Sequence, residues 1–106
     1  MENTKLYHGT CMAFVQLAKE KKGKFGPDYD RISFTPNYPH AKMYAESWKT
    51  PAGRLRLEKY FWELPEEFHS PIILEFNSLQ FRKLIKTMDG GAIEFYVPNG
   101  PIALPN

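Results

Sequence analysis

The order in which strand-forming runs and helical stripes succeed one another is what most constrains this chain. In its N-terminal half, brief apolar runs alternate with helical spacing. Leu6, Tyr7 and His8 read as a first strand, and Phe14, Leu17 and Ala18 recur behind it on one face of a helix. Ile32 to Thr35 reads as a second strand, followed by Ala41, Tyr44, Ala45 and Trp48 at intervals of three and four, one side of a second helix. The C-terminal half changes character. Ile72 to Phe76, Ala92 to Val97 and Ile102 to Leu104 are rich in branched and aromatic residues, and the turn signals Asp89-Gly90-Gly91 and Asn99-Gly100-Pro101 separate the last of them. Strand–helix alternation followed by a strand-rich half predicts an α+β fold.

Local signals set the expected boundaries. Thr10 suits the N-cap of the first helix; Lys19, Lys21 and Lys22 suit its last turn, where they complement the helix dipole, and Gly23 ends it. Lys24 to Arg31, with Gly26, Pro27 and two aspartates, reads as a loop. Pro39 fits a first helical turn capped by Asn37 or Tyr38, and Thr50-Pro51-Ala52-Gly53 breaks the second helix. Leu55 and Leu57 alternate with Arg54, Arg56 and Glu58 as in a half-exposed strand, whereas Glu58 to Phe68 equally suits a helical turn. A further helix is expected on Leu79, Phe81 and Leu84, within Leu79 to Met88.

A length of 106 residues accommodates a single domain spanning 1–106. Aromatic residues are 15% of the chain, enough to fill a core or line a pocket. The net charge of +2 argues for neither DNA nor an anionic membrane. Cys11 is the single cysteine, so no intramolecular disulfide forms and a reducing compartment is expected. No apolar run approaches the roughly 18 residues of a membrane span, and the first residues do not read as a secretory signal. The expectation is a soluble, cytoplasmic protein with no membrane partner. His40 and His69 stand apart, and no histidine–cysteine spacing suggests a metal.

Two residues carry chemistry by position. His8 ends an apolar strand just before Gly9, where its ring either donates to a ligand hydroxyl or is satisfied by a neighbouring carbonyl. Glu94 alternates with Ile93 and Phe95; if those two face the core, Glu94 and Tyr96 point to the other face and line a cleft. The ordinary alternative for such a glutamate is solvation on an open strand face. Glu75 is its rival, but its strand reads as structural sheet.

Tyr7-His8-Gly9-Thr10, Ser33-Phe34-Thr35-Pro36 with Tyr44-Ala45, and Glu94-Phe95-Tyr96-Val97 resemble the three motif regions of the ADP-ribosyltransferases, in the histidine–tyrosine–glutamate class that includes diphtheria toxin and the poly-ADP-ribose polymerases. The resemblance spans residues 5 to about 104. It implies a compact split antiparallel sheet with two to three short helices, and NAD as a substrate whose nicotinamide is expelled. The ADP-ribose would pass singly to a macromolecular acceptor, protein or nucleic acid, without a metal. It makes Glu94, His8 and Tyr44 catalytic, and has His8, Gly9, Thr10, Ser33 and Tyr44 hold NAD. Glu94 goes to the nicotinamide ribose, where a carboxylate stabilises an oxocarbenium-like charge; Gly9 offers its backbone to the carboxamide, and Tyr44 stacks on the nicotinamide unless it simply packs in the core.

Two positions depart from that pattern. Ser33 stands where the class carries its first tyrosine, which leaves one wall of the nicotinamide site without a ring; Tyr29 or Tyr38 are the candidates to replace it. Ala92 stands where arginine-modifying members carry glutamate or glutamine, which argues against an arginine acceptor. RNA 2′-phosphotransferases share a similar first strand, but their histidine-rich second motif has no counterpart in Ile32 to Thr35. Lys19, Lys21, Lys22 and Lys24 suit a pyrophosphate or a nucleic acid. Lys49, Arg54, Arg56 and Lys59 mix with Trp48, Tyr60, Phe61 and Trp62, which suits stacking and phosphate contact, although a solvated surface is the commoner fate of such groups. A core this small resembles phage-encoded modifiers of host machinery, anti-CRISPR transferases among them, and toxins of toxin–antitoxin pairs. The competing expectation is a non-catalytic module on the same fold that binds NAD, ADP-ribose or a protein surface, such as a phage inhibitor of a host complex.

Overall fold

The computed structural model describes residues 3–26 and 31–105, with the backbone alone at Asp89. Strand β1 (Lys5–Cys11) pairs antiparallel with β4 (Pro71–Asn77) along its whole length, Leu6 opposite Phe76 and His8 opposite Leu74. A second sheet takes β3 (Ile32–Phe34), β6 (Ala92–Val97) and β5 (Ile85–Asp89), in that spatial order. Gly90 and Gly91 make the β5–β6 turn with φ of 57° and 86°, the left-handed pair that a two-residue hairpin loop requires. The sheets meet where Tyr7 and Thr35 exchange backbone hydrogen bonds of 2.8 and 2.9 Å. The split-sheet, α+β architecture follows from that single bridge. A separate small pair, β2 (Lys24–Phe25) with β7 (Ile102–Ala103), packs Phe25 and Ile102 into the main core.

Three α-helices complete the described residues: α1 (Met12–Glu20), α2 (Tyr38–Ser47) and α3 (Pro51–Glu58). The sequence starts α2 clearly, because the Asn37 side chain accepts from the His40 amide at 3.1 Å and Pro39 sits in the first turn. Helix α2 then lies directly on β1. A Cβ at Gly9 would overlap the Ala41 carbonyl oxygen, so glycine is what lets the helix approach this closely. Leu6, Phe34, Leu74 and Phe76 form the centre of the main core, with Val15 and Ala18 of α1 over them. Cys11, Ala13 and Leu57 form a smaller core, closed by Phe14, Trp48 and Phe61.

Several expected elements differ. Thr10 is no cap: β1 continues through Cys11, which takes the N-cap position without a side-chain bond, and Thr10 is buried. The expected loop over Lys24 to Arg31 loses its first two residues to β2, and residues 27–30 lie outside the described residues. Helix α1 buries Ala13, Val15 and Ala18 rather than only the Phe14 stripe, because it sits between the two cores. The strand-like alternation at Leu55 and Leu57 belongs to α3. Thr50 accepts from the Gly53 amide at 3.1 Å and Pro51 follows it, so the expected helix breaker is a helix start. Leu79 to Met88 holds a short 3-10 turn at Ser78–Gln80 and then strand β5, not an α-helix. Among the described residues no helix is long and apolar enough to cross a membrane, and no group of histidine, cysteine and carboxylate side chains is placed to hold a metal.

Candidate active site

A cleft of about 800 Å³ opens where the two sheets part beneath α2, a volume ordinary for a small-molecule site. It is lined by His8, Gly9 and Thr10 of β1, Ser33 of β3, Tyr44 of α2 and Glu94 of β6. All six residues singled out by sequence therefore border one space. Glu94 is the one carboxylate lining it among the described residues.

Glu94 is set by the register of β6. It stands opposite Thr87 of β5, with Phe95 packed on the main core and the carboxylate on the other face. At 9% exposure it is no solvated strand glutamate. The expectation that Ile93 also faces the core fails: Ile93 is 42% exposed, being next to the hairpin turn where little packs over the sheet. Glu75 is exposed on β4 and does not line the cleft.

His40, dismissed by sequence as isolated, lies beside Glu94. Its Nε2 lies 3.5 Å from Glu94 Oε1, and this buried nitrogen has no hydrogen-bond partner. Its ring meets Tyr44 edge-on, centroids 4.9 Å apart. His40 does not itself line the cleft, so it stands behind the carboxylate. A signal was present in the sequence: His40 precedes Tyr44 by one helical turn, so the two share a helix face. What brings that face to Glu94 is tertiary.

His8 is held firmly. Its Nδ1 is 2.6 Å from the Ser33 carbonyl oxygen, and its ring packs edge-on against Phe25 and Phe34 at 5.3 and 6.0 Å. Burial pushes its pKa below the ordinary value of 6.5, outweighing the Ser33 hydrogen bond, which raises it. A carbonyl only accepts, so Nδ1 carries the proton and Nε2 of the neutral ring is an acceptor. The carbonyl-satisfied state considered from sequence is thus what is found. If the ring meets a ligand hydroxyl, it accepts through Nε2 rather than donates.

The remaining residues are placed by the same packing. Tyr44 is 38% exposed, flanked by the buried Ala41 and Ala45 that dock α2, so it belongs to the stripe without being in the core. Ser33 opposes Tyr96 and brings no ring. Tyr38 packs edge-on against Tyr7, a cleft residue, at 5.4 Å, while Tyr29 lies outside the described residues. Burial raises the Cys11 thiol pKa within the smaller core, which keeps it neutral and a poor nucleophile.

Among the described residues, Lys21, Lys24, Arg31 and Arg56 line the cleft against the one carboxylate of Glu94. Of the basic groups noted in the sequence, Lys21, Lys24 and Arg56 reach the cleft, whereas Arg54 is committed to Glu66 by hydrogen bonds of 2.6 and 3.3 Å. Trp48 and Tyr60 also line the cleft; Trp62, 97% exposed, does not. Such a lining favours a ligand that carries negative charge. Comparison with protein-family models, with curated proteins and with solved structures finds no match to the chain.

Proposed function

We propose that this chain is an ADP-ribosyltransferase that binds NAD in the cleft, releases nicotinamide and transfers ADP-ribose to a macromolecular acceptor. One observation carries the reading. Residues from β1, β3, α2 and β6 border a single cleft that, among the described residues, is lined by one carboxylate, Glu94, and by the cations Lys21, Lys24, Arg31 and Arg56. NAD fits that pattern, with an anionic pyrophosphate and a ribose that turns cationic as its bond to nicotinamide breaks. In the reaction the bonding pair leaves with the pyridine nitrogen, so nicotinamide departs neutral. Glu94 stabilises the cationic ribose through a low-dielectric contact. A nucleophile on the acceptor then forms the new bond at that carbon and gives up its proton to solvent. His8 Nε2 accepts from a ribose hydroxyl, and Tyr44 stacks on the departing ring.

A second reading has an observation in its favour: Ser33 offers no ring, which suits a module that binds NAD or ADP-ribose without turning it over. Incubation with labelled NAD and cell lysate separates the two. Release of nicotinamide with label on protein or nucleic acid supports the transferase; binding without release supports the module, and no binding sinks both.

A further inference from the structure

We infer that Arg56, Trp48 and Tyr60 form a nucleobase subsite at the end of the cleft away from Glu94, where the adenine of a dinucleotide stacks. This inference rests on the dinucleotide reading of the cleft and adds where the second base goes. Helix α2 supplies the ruler. His40 lies beside Glu94, Tyr44 follows one turn later, and Trp48 caps the helix one turn beyond that. At 1.5 Å per residue, Trp48 is about 12 Å along the axis from His40. That is a stretch suited to the sugar–pyrophosphate–sugar part of the ligand, with Tyr44 at the nicotinamide end.

The far end is built, not incidental. A Cβ at Gly53 would overlap the Ser47 carbonyl oxygen, so α3 starts directly against the end of α2. Its Leu57 is buried in the smaller core. Next to Leu57, the Arg56 guanidinium lies over the Trp48 ring, 4.3 Å from its centroid. Phe14 braces both Trp48 and Tyr60 edge-on, at 5.1 and 5.7 Å. Phe61 packs on the same Phe14 and is half-buried, whereas Tyr60 remains 68% exposed and Arg56 is exposed. A fold that covers Phe61 yet leaves a phenol and a guanidinium plane bare at the cleft margin presents two flat faces to a ligand. Flat faces of this kind hold bases by stacking, and the cation adds attraction for the π-system and for phosphate.

Trp48 is also the reporter. Trp62→Phe leaves Trp48 as the sole tryptophan, and that fully exposed position carries no packing. The Trp62→Phe protein is titrated with AMP, with ribose 5-phosphate and with ADP-ribose, following tryptophan emission and, in parallel, heat. AMP and ADP-ribose are expected to quench Trp48 saturably, and AMP to bind about tenfold or more tighter than ribose 5-phosphate. Arg56→Lys, which keeps the charge and loses the plane, should weaken AMP several-fold and leave ribose 5-phosphate unchanged. AMP no tighter than ribose 5-phosphate, or ADP-ribose binding with unaltered Trp48 emission, overturns the subsite. So does quenching by a single-stranded oligonucleotide but not by AMP, which would give this surface to a nucleic-acid acceptor. Quenching by AMP without nicotinamide release from NAD keeps the subsite and removes the transferase; release with Trp48 silent does the reverse.

Discussion

The two walls of the cleft treat histidine in opposite ways. On the sheet wall, His8 is bonded to the Ser33 carbonyl at 2.6 Å and wedged between aromatic rings. On the helix wall, His40 holds a buried nitrogen without a hydrogen-bond partner, 3.5 Å from Glu94. A buried polar atom left without a partner costs about 1–3 kcal/mol, and a fold keeps such an atom where charge or ligand compensates. The histidine of the sheet wall is thus satisfied within the protein, and the one on the helix is not. The difference warns against weighting a motif histidine above one that merely lies near the carboxylate in space.

The largest effect tests whether the helix wall is held by close backbone approach. Gly9→Ala forces Ala41 and its helix off β1, and the cost should exceed about 3 kcal/mol, beyond ordinary overpacking. The denaturant midpoint measures it; near-wild-type stability would mean that α2 shifts freely and that the wall is not fixed there. Next comes Glu94→Gln, which should lower nicotinamide release by roughly a hundredfold or more while leaving the melting temperature nearly unchanged. An unaffected rate would make Glu94 a structural sheet residue and remove the catalytic assignment.

His40→Gln sharpens the contrast directly. As a residue that positions Glu94 and does not touch ligand, it should lower kcat roughly tenfold with KM nearly constant. A raised KM with kcat unchanged would place His40 in the binding surface instead. His8→Asn should act the other way, weakening NAD affinity by about 0.5–1.5 kcal/mol in calorimetric titration.

The same variant carries a pH signature. Burial lowers the His8 pKa in the folded protein, so the unfolded chain takes up a proton more readily. Stability present above the ordinary value of 6.5 is therefore lost as pH falls below it. Between about pH 7 and 5 the wild type should lose more stability than His8→Asn; parallel losses would mean that His8 does not titrate differently on folding. The smallest effect belongs to Ser33→Tyr. If that wall is open, a stacked ring adds about 0.5–1.5 kcal/mol to nicotinamide binding. If the Tyr7–Tyr38 pair already fills the space, overpacking reverses the sign.

Local chemistry made the elements with their own start and stop signals legible. The Asn37 cap and Pro39 announced α2, and the Gly90-Gly91 turn with its flanking runs announced the β6 hairpin strand. Elements whose identity depends on neighbours were not. Leu55 and Leu57 alternate like a strand, yet Thr50 and Pro51 start a helix there, and only the fit of Gly53 against Ser47 makes room for it. Ile85–Asp89 became strand because β6 offered an edge.

Taken by itself, the sequence determined the order of most strands and helices, the α+β class, and the candidates His8, Gly9, Thr10, Ser33, Tyr44 and Glu94, because periodicity, caps and turn residues act within a few positions of one another. Only the tertiary structure decided that these candidates share one cleft, that His8 carries its proton on Nδ1, that His40 stands behind Glu94, and that Arg56 lies on Trp48. Each of those facts is a contact between residues distant in the chain or brought together by a turn between helices. Such contacts depend on how closely backbones approach at Gly9 and Gly53, and no local pattern encodes that distance.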